Sequence, residues 1–330
     1  RLSRRSFLSV TAMAHPETAP VIICGSIAFD TIMVFEGKFQ EHILPEQVHA
    51  LSVSFLVPSM RKEYGGCAGN IAYNLRLLGG TPVPVATVGE DAGEYLQRMR
   101  AQGINVDWVK VVPGTFTAQC FITTDLVDNQ ITAFHPGAMS ASATNDLTAA
   151  PGVWGIVAPD SKEGMFAHAR RLHARGVPFI FDLGQAMPLF NGDDLRDMLS
   201  MAQVLTVNDY EARVVEQRTG RSMAEIAAGL QAAIVTRGEK GSTLLTGGQE
   251  IHIDAIKADA VVDPTGCGDA YRAGLLYGIT LGWNWEDCCK LASLMGSIKV
   301  ASRGPQNHVL SREEISARLD RSYGLSLPHA

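Results

Sequence analysis

Long apolar runs are missing from this chain of 330 residues: Gly, Pro or charge interrupts every hydrophobic stretch before 18 positions are reached, so no helical membrane span is expected. Runs of like charge are missing too. With 28 Lys and Arg against 34 Asp and Glu, the formal charge is −6 and no block of five or six like charges occurs, which argues against nucleic acid or a membrane surface as partner. Cysteine is sparse. Cys24, Cys67, Cys120, Cys267, Cys288 and Cys289 contain no C-x-x-C pair, and a chain this long needs no disulfide staples, so a reducing cytoplasm is the expected compartment. The nine histidines show neither H-x-x-x-H nor H-E-x-x-H spacing, which removes the common zinc sites. No G-x-x-x-x-G-K-[ST] occurs, and the first strand is not followed by G-x-G-x-x-G, so P-loop kinases and Rossmann oxidoreductases fall away.

What is present is a globular composition, 46% apolar and 19% charged, long enough for one large domain or two modest ones. Ser3-Arg4-Arg5-Ser6-Phe7-Leu8 has the form of a twin-arginine export signal and Ala12-Met13-Ala14 that of a cleavage site. Its apolar stretch is short, Phe7 to Ala14, so residues 1–20 are read as a non-native or misassigned leader with Met13 as candidate start. Strand-like runs then recur at 21–24, 83–87, 153–158, 178–182, 204–207 and 233–236. Helical patterns fall between and after them, at 68–78, 92–102, 165–175, 195–202, 209–217, 224–231, 270–281, 286–301 and 313–319. Parallel neighbours need crossovers, so this alternation predicts an α/β fold with a mostly parallel sheet, helices on both faces and ligands at the carboxyl ends of the strands. Residues 31–63 and 110–135 break the pattern with short alternating β-branched and aromatic runs. They read as antiparallel ribbon forming a small flap over one site.

Three stretches carry chemistry. Val261-Val262-Asp263-Pro264-Thr265-Gly266-Cys267-Gly268-Asp269 reads as a strand running through a turn of small residues into a helix. Such a turn lets the amides of Gly266, Cys267 and Gly268 converge at the positive end of the helix as an anion hole. Asp269 beside it is either a first-turn carboxylate favoured by the helix dipole or a general base for an attacking hydroxyl, and the flanking glycines favour the base. Second, Gly65-Gly66 precedes the helix holding Asn70, so a ligand could meet bare backbone and an amide suited to hydroxyls. Third, the first strand ends in Cys24-Gly25-Ser26-Ile27-Ala28-Phe29-Asp30, and Asp30 at its carboxyl end is a turn residue or a carboxylate that accepts from two vicinal hydroxyls.

Together these stretches resemble the signatures of the ribokinase-like, or PfkB, family of ATP-dependent sugar and nucleoside kinases. The C-terminal stretch departs from the family's D-T-x-G-A-G-D only by Pro264 and Cys267. The resemblance spans Val21 to the last helix and implies a three-layer α/β/α sandwich with a small β-sheet lid. It implies Asp269 as base, Gly266, Cys267 and Gly268 as anion hole, and Asp30, Gly65, Gly66 and Asn70 as the sugar site. Asn208 and Glu211 match the family's N-x-x-E motif, which helps place Mg²⁺ and phosphate, although an Asn cap with an acidic third residue explains the pair equally well. Thr236, Arg237, Gly238 and Gly241 fall where the family holds ATP, and Arg303-Gly304-Pro305-Gln306 where it closes around adenine. Asp263 and Thr265 are the candidates for a monovalent cation, K⁺.

Within the family, the chain looks most like adenosine and broad-specificity nucleoside kinases, from residues 25–30, the glycine pair and residues 129–138. A nucleoside base wants an apolar slot, and Gln119, Phe121 and Phe134 are expected to meet the purine, or else to pack between layers. The expected reaction moves the ATP γ-phosphoryl to a nucleoside 5′-hydroxyl, with the protein a monomer or homodimer. A sugar kinase of the same family and a non-catalytic nucleoside-binding protein are the alternatives; the second has no use for Asp269 beside an anion hole.

Overall fold

The computed structural model describes residues 19–42, 53–127 and 129–328, and the leader reading at 1–18 lies outside them. The main sheet contains β1 (Val21–Cys24), β4 (Pro82–Val88), β5 (Val109–Val111), β8 (Trp154–Val157), β9 (Phe179–Asp182), β10 (Val204–Asn208), β11 (Ala232–Thr236), β12 (Ser242–Thr246) and β13 (Gln249–Ile253). Their order is β13-β12-β11-β10-β9-β8-β1-β4-β5. All neighbours from β11 to β5 run parallel, while β12 and β13 add an antiparallel hairpin. That hairpin was not anticipated, although Gly247-Gly248 between two β runs is a turn signal.

Alternation along the strands builds two cores. Val21 and Ile23 face one layer, while Ile22 and Cys24 face the other. The first layer holds α1 (Cys67–Leu77), α2 (Gly93–Ala101), α7 (Cys267–Thr280), α8 (Trp285–Val300) and α9 (Arg312–Tyr323). The second holds α3 (Lys162–Ala174), α4 (Gly192–Met201), α5 (Asp209–Thr219) and α6 (Met223–Ala227). This is the expected α/β/α sandwich.

The small sheet has the order β3-β2-β6-β7, built from β2 (Ala28–Val34), β3 (Ser59–Gly65), β6 (Ala118–Thr124) and β7 (Gln130–His135). It is not the simple antiparallel ribbon predicted, because its central pair, β2 and β6, runs parallel between two antiparallel edges. Lys110 also leaves the ribbon and lies in β5 of the main sheet. Nor do Val261–Asp263 form a strand; the amides of Val262 and Asp263 instead pair with the carbonyl of Val300 at the end of α8.

Candidate functional site

Two helices start side by side on glycines. Gly66 caps α1 with φ 84° and Gly266 caps α7 with φ 80°, a conformation that disfavours any residue with a Cβ. Space forbids one as well: a Cβ on Gly66 would lie 2.5 Å from the Ser26 carbonyl oxygen, and one on Gly266 2.8 Å from the Pro305 Cβ. Asn70, one turn into α1, donates its Nδ2 to Asp269 Oδ2 at 2.8 Å and so joins the two signature turns.

Asn70 is itself held. Gln306, 2% exposed, donates its Nε2 to Asn70 Oδ1 (2.9 Å) and to the Tyr95 hydroxyl (2.6 Å), and that hydroxyl donates to the Gly65 carbonyl (2.7 Å). The amide of Asn70 therefore has one orientation, with its donor end on Asp269. Gln306, anticipated near adenine, instead supports the Asn70 and Gly65 side of the site.

Burial pushes the Asp269 carboxyl up to about 7, with Asp182 adding to the rise and Asn70 and Arg272 opposing it. A carboxyl near neutrality can take a proton from a hydroxyl and give it up again. Asp30 is pushed up to about 6, by burial first and then by Glu63 and Asp263. It crowds Gly65, where a Cβ would stand 2.6 Å from Asp30 Oδ2. Of the expected trio of anion-hole amides, that of Cys267 donates to the Pro264 carbonyl at 3.1 Å, whereas those of Gly266 and Gly268 have no hydrogen-bond partner among the described residues.

Arg272 lies one turn below Asp269. Almost fully buried, it pairs in bidentate fashion with Asp182 at the carboxyl end of β9, Nε to Oδ2 at 3.1 Å and Nη2 to Oδ1 at 2.9 Å. Its Nη1 reaches the Gly268 carbonyl at 3.3 Å, so the pair ties the first turn of α7 to the main sheet. Beside β9, register sets Asn208 against Thr236 at the carboxyl ends of β10 and β11. Asn208 and Glu211 form the capping box: each side chain accepts the other's backbone amide at 2.8 Å. Burial raises the Glu211 carboxyl. Arg237, Gly238 and Gly241 make the turn that follows Thr236, closed by Arg237 N donating to the Gly241 carbonyl at 2.8 Å.

The small sheet divides its predicted residues. Asp30 aligns with Cys120, and Cys120 with Phe134, so these share one face with Ile122. Gln119 and Phe121 are on the opposite face, where Gln119 Nε2 donates to Thr31 Oγ1 at 3.0 Å. The alternation was right, but only register decides which set accompanies Asp30. At the candidate cation pair, both carboxylate oxygens of Asp263 accept backbone amides, Oδ1 that of Thr265 (2.9 Å) and Oδ2 that of Gly304 (2.8 Å), and its carbonyl accepts from Lys299 Nζ (2.7 Å). The loop proposed to hold a monovalent ion thus already receives an ammonium, that of Lys299. Among the described residues there is no cluster of three or more His, Cys, Asp or Glu that could hold a metal, and no helix long and apolar enough to cross a membrane.

Comparison with known proteins agrees with this geometry. The family model for pfkB carbohydrate kinases matches residues 30–312. A nucleoside kinase of Methanocaldococcus jannaschii is 30% identical over 274 residues, covering 82% of this chain and 90% of the relative. The structure of Burkholderia thailandensis nucleoside kinase in complex with inosine superposes with a TM-score of 0.84 at 51% identity, over 93% of this chain and 99% of that one. The same protein in complex with ADP-inosine gives 0.82 at 52% identity, over 94% and 98%. With two glycine-led turns facing each other across Asn70 and Asp269, and a match from Asp30 into α9, the chain belongs to the pfkB family of carbohydrate kinases and is a phosphotransferase acting on a hydroxyl.

Proposed function

We propose that the chain transfers the γ-phosphoryl group of ATP to the 5′-hydroxyl of a nucleoside, adenosine or a related purine nucleoside, with Asp269 as general base. The observation that carries this is the Asn70 to Asp269 hydrogen bond, which sets a base near neutrality between a sugar-side turn and an anion-side turn. Relatives named nucleoside kinases, one of them solved with inosine and with ADP-inosine, support the acceptor class and ATP.

Asp30 accepts from the ribose diol, while Gly65 leaves room for the sugar against bare backbone. Asp269 takes the proton of the 5′-hydroxyl as its oxygen attacks. The amides of Gly266 and Gly268 then face the charge on the transferred group at the start of α7. The small sheet serves as a lid, and its Asp30 face offers Ile122, Cys120 and Phe134 to the base, with Phe134 as stacking partner. Thr236 and the Arg237–Gly241 turn hold the nucleotide. Asn208 and Glu211 bring hard oxygen donors to the carboxyl end of β10 and would hold Mg²⁺ through water. When bound, Mg²⁺ neutralises phosphate charge during transfer.

An ATP-consumption panel of adenosine, inosine, guanosine, cytidine, ribose and fructose tests the acceptor. Turnover is expected to be fastest with the purine nucleosides. Faster turnover of free ribose or fructose would replace this reading by a sugar kinase, and no turnover with any acceptor would reduce it to binding.

A further inference from the structure

Lys299, next to last in α8, has no exposed surface. Its Nζ donates to the carbonyl of Asp263 at 2.7 Å and to the carbonyl of Ser302 at 2.9 Å. These carbonyls come from two loops, the one leading into the Asp269 turn and the one that follows α8. The same loops are tied twice more, by Gly304 N on Asp263 Oδ2 and by the Val262 and Asp263 amides on the Val300 carbonyl. A buried charge gathering carbonyl oxygens from separate loops is the arrangement by which a dehydrated cation orders backbone.

We propose that the Lys299 ammonium is a built-in cation, standing where a monovalent ion would otherwise gather the carbonyls behind the Asp269 turn, so that this chain requires no potassium. The consequence reaches the anion side of the site. Holding Asp263 fixes the next residue, Pro264, whose carbonyl accepts the Cys267 amide and thereby shapes the turn presenting Gly266 and Gly268. Charge balance supports the assignment. Burial lowers the Lys299 ammonium, while Asp263 and Glu63 favour its charged form; Asp263 in turn is held below the usual carboxylate range, against burial, by Gly304, Thr265 and Lys299. A second cation beside a buried ammonium would meet like-charge repulsion and a carbonyl already in use.

The inference rests on the phosphoryl-transfer reading of the Asp269 turn, so its test includes a readout that needs no substrate. Thermal melting and turnover are measured in KCl and in choline chloride at equal ionic strength, for the wild type and for Lys299→Met. The wild type is expected to melt at the same temperature in both salts and to turn over within about two-fold, as for a site already satisfied. Lys299→Met is expected to melt roughly 10 °C lower in choline chloride, having lost one partner of a buried polar cluster, and to regain stability in KCl only. A wild type stabilised or activated several-fold by K⁺ would overturn the proposal, as would a folded Lys299→Met variant whose melting ignores K⁺. If that variant does not fold, the wild-type melts decide alone, and they do so even if no acceptor turns over.

Discussion

Gly66 and Gly266 both cap their helices at positive φ, though with ψ of 140° and 4° respectively, neither glycine has a side chain to cap with, and each glycine carbonyl accepts the amide four residues on. Their surroundings differ. At α1, Ser26 fills the start of the helix: its Oγ accepts the Cys67 amide at 3.1 Å and its carbonyl accepts the Ala68 amide at 2.9 Å. At α7 only the Cys267 amide is turned back, onto Pro264, and the first turn carries Asp269. One glycine-led start is consumed by the protein, and the other is the one that the proposed mechanism leaves to the substrate. Glycine before a helix therefore marks where backbone can be approached closely, and the neighbouring side chains decide whether protein or substrate approaches.

The contrast can be broken most strongly at the acid. Asp269→Asn is expected to lower turnover by about 10²–10⁴-fold while nucleoside affinity changes little, because a general base acts on the transition state. Stopped-flow turnover with calorimetric binding of the nucleoside checks it. Near-normal turnover would make Asp269 a mere first-turn carboxylate. Next come the two glycines. Alanine at either costs about 1–3 kcal/mol of stability through its positive φ, and more through the Cβ clash with the Ser26 carbonyl or with Pro305, but only Gly266→Ala is expected to remove roughly 10²-fold of turnover beyond that. Urea unfolding beside kcat for both variants separates the two losses; equal losses of turnover would erase the distinction between the turns.

Smaller effects sharpen the picture. Gln306→Met leaves Asn70 Oδ1 and the Tyr95 hydroxyl without their shared donor, at a cost of about 1–3 kcal/mol, and kcat should fall because Asn70 no longer aims its amide at Asp269. Ser26→Ala should cost about 1 kcal/mol, as for loss of a helix cap, with kcat unchanged. Chemical denaturation and steady-state kinetics on the same preparations test both.

Much of this site was legible because its signals are local. Gly65-Gly66 and Gly266-Cys267-Gly268-Asp269 each sit within a few residues of the helix they start, and the Asn208–Glu211 capping box is complete within four. Its supports were not legible. Gln306 meets Asn70 across 236 positions and Arg272 meets Asp182 across 90, and no periodicity encodes such pairings. Lys299 follows Leu294, Met295 and Ile298 on the buried side of α8, where a lysine reads as a snorkelling neighbour of the core until its two carbonyl partners are seen. The small sheet shows a similar limit. Alternation pairs Gln119 with Phe121, but nothing local tells which face accompanies Asp30; the register of β2 with β6 chose Cys120 and Ile122 instead.

The central claim, that the half-buried carboxylate in the first turn of α7 acts as base, is tested most directly by the pH dependence of kcat for adenosine. Protonated Asp269 cannot accept a proton, so kcat should fall as pH drops through about 7, the value to which burial raises its carboxyl, and stay level above it. A kcat that stays level from pH 8 down to about 5, close to the ordinary carboxylate range, would contradict the account.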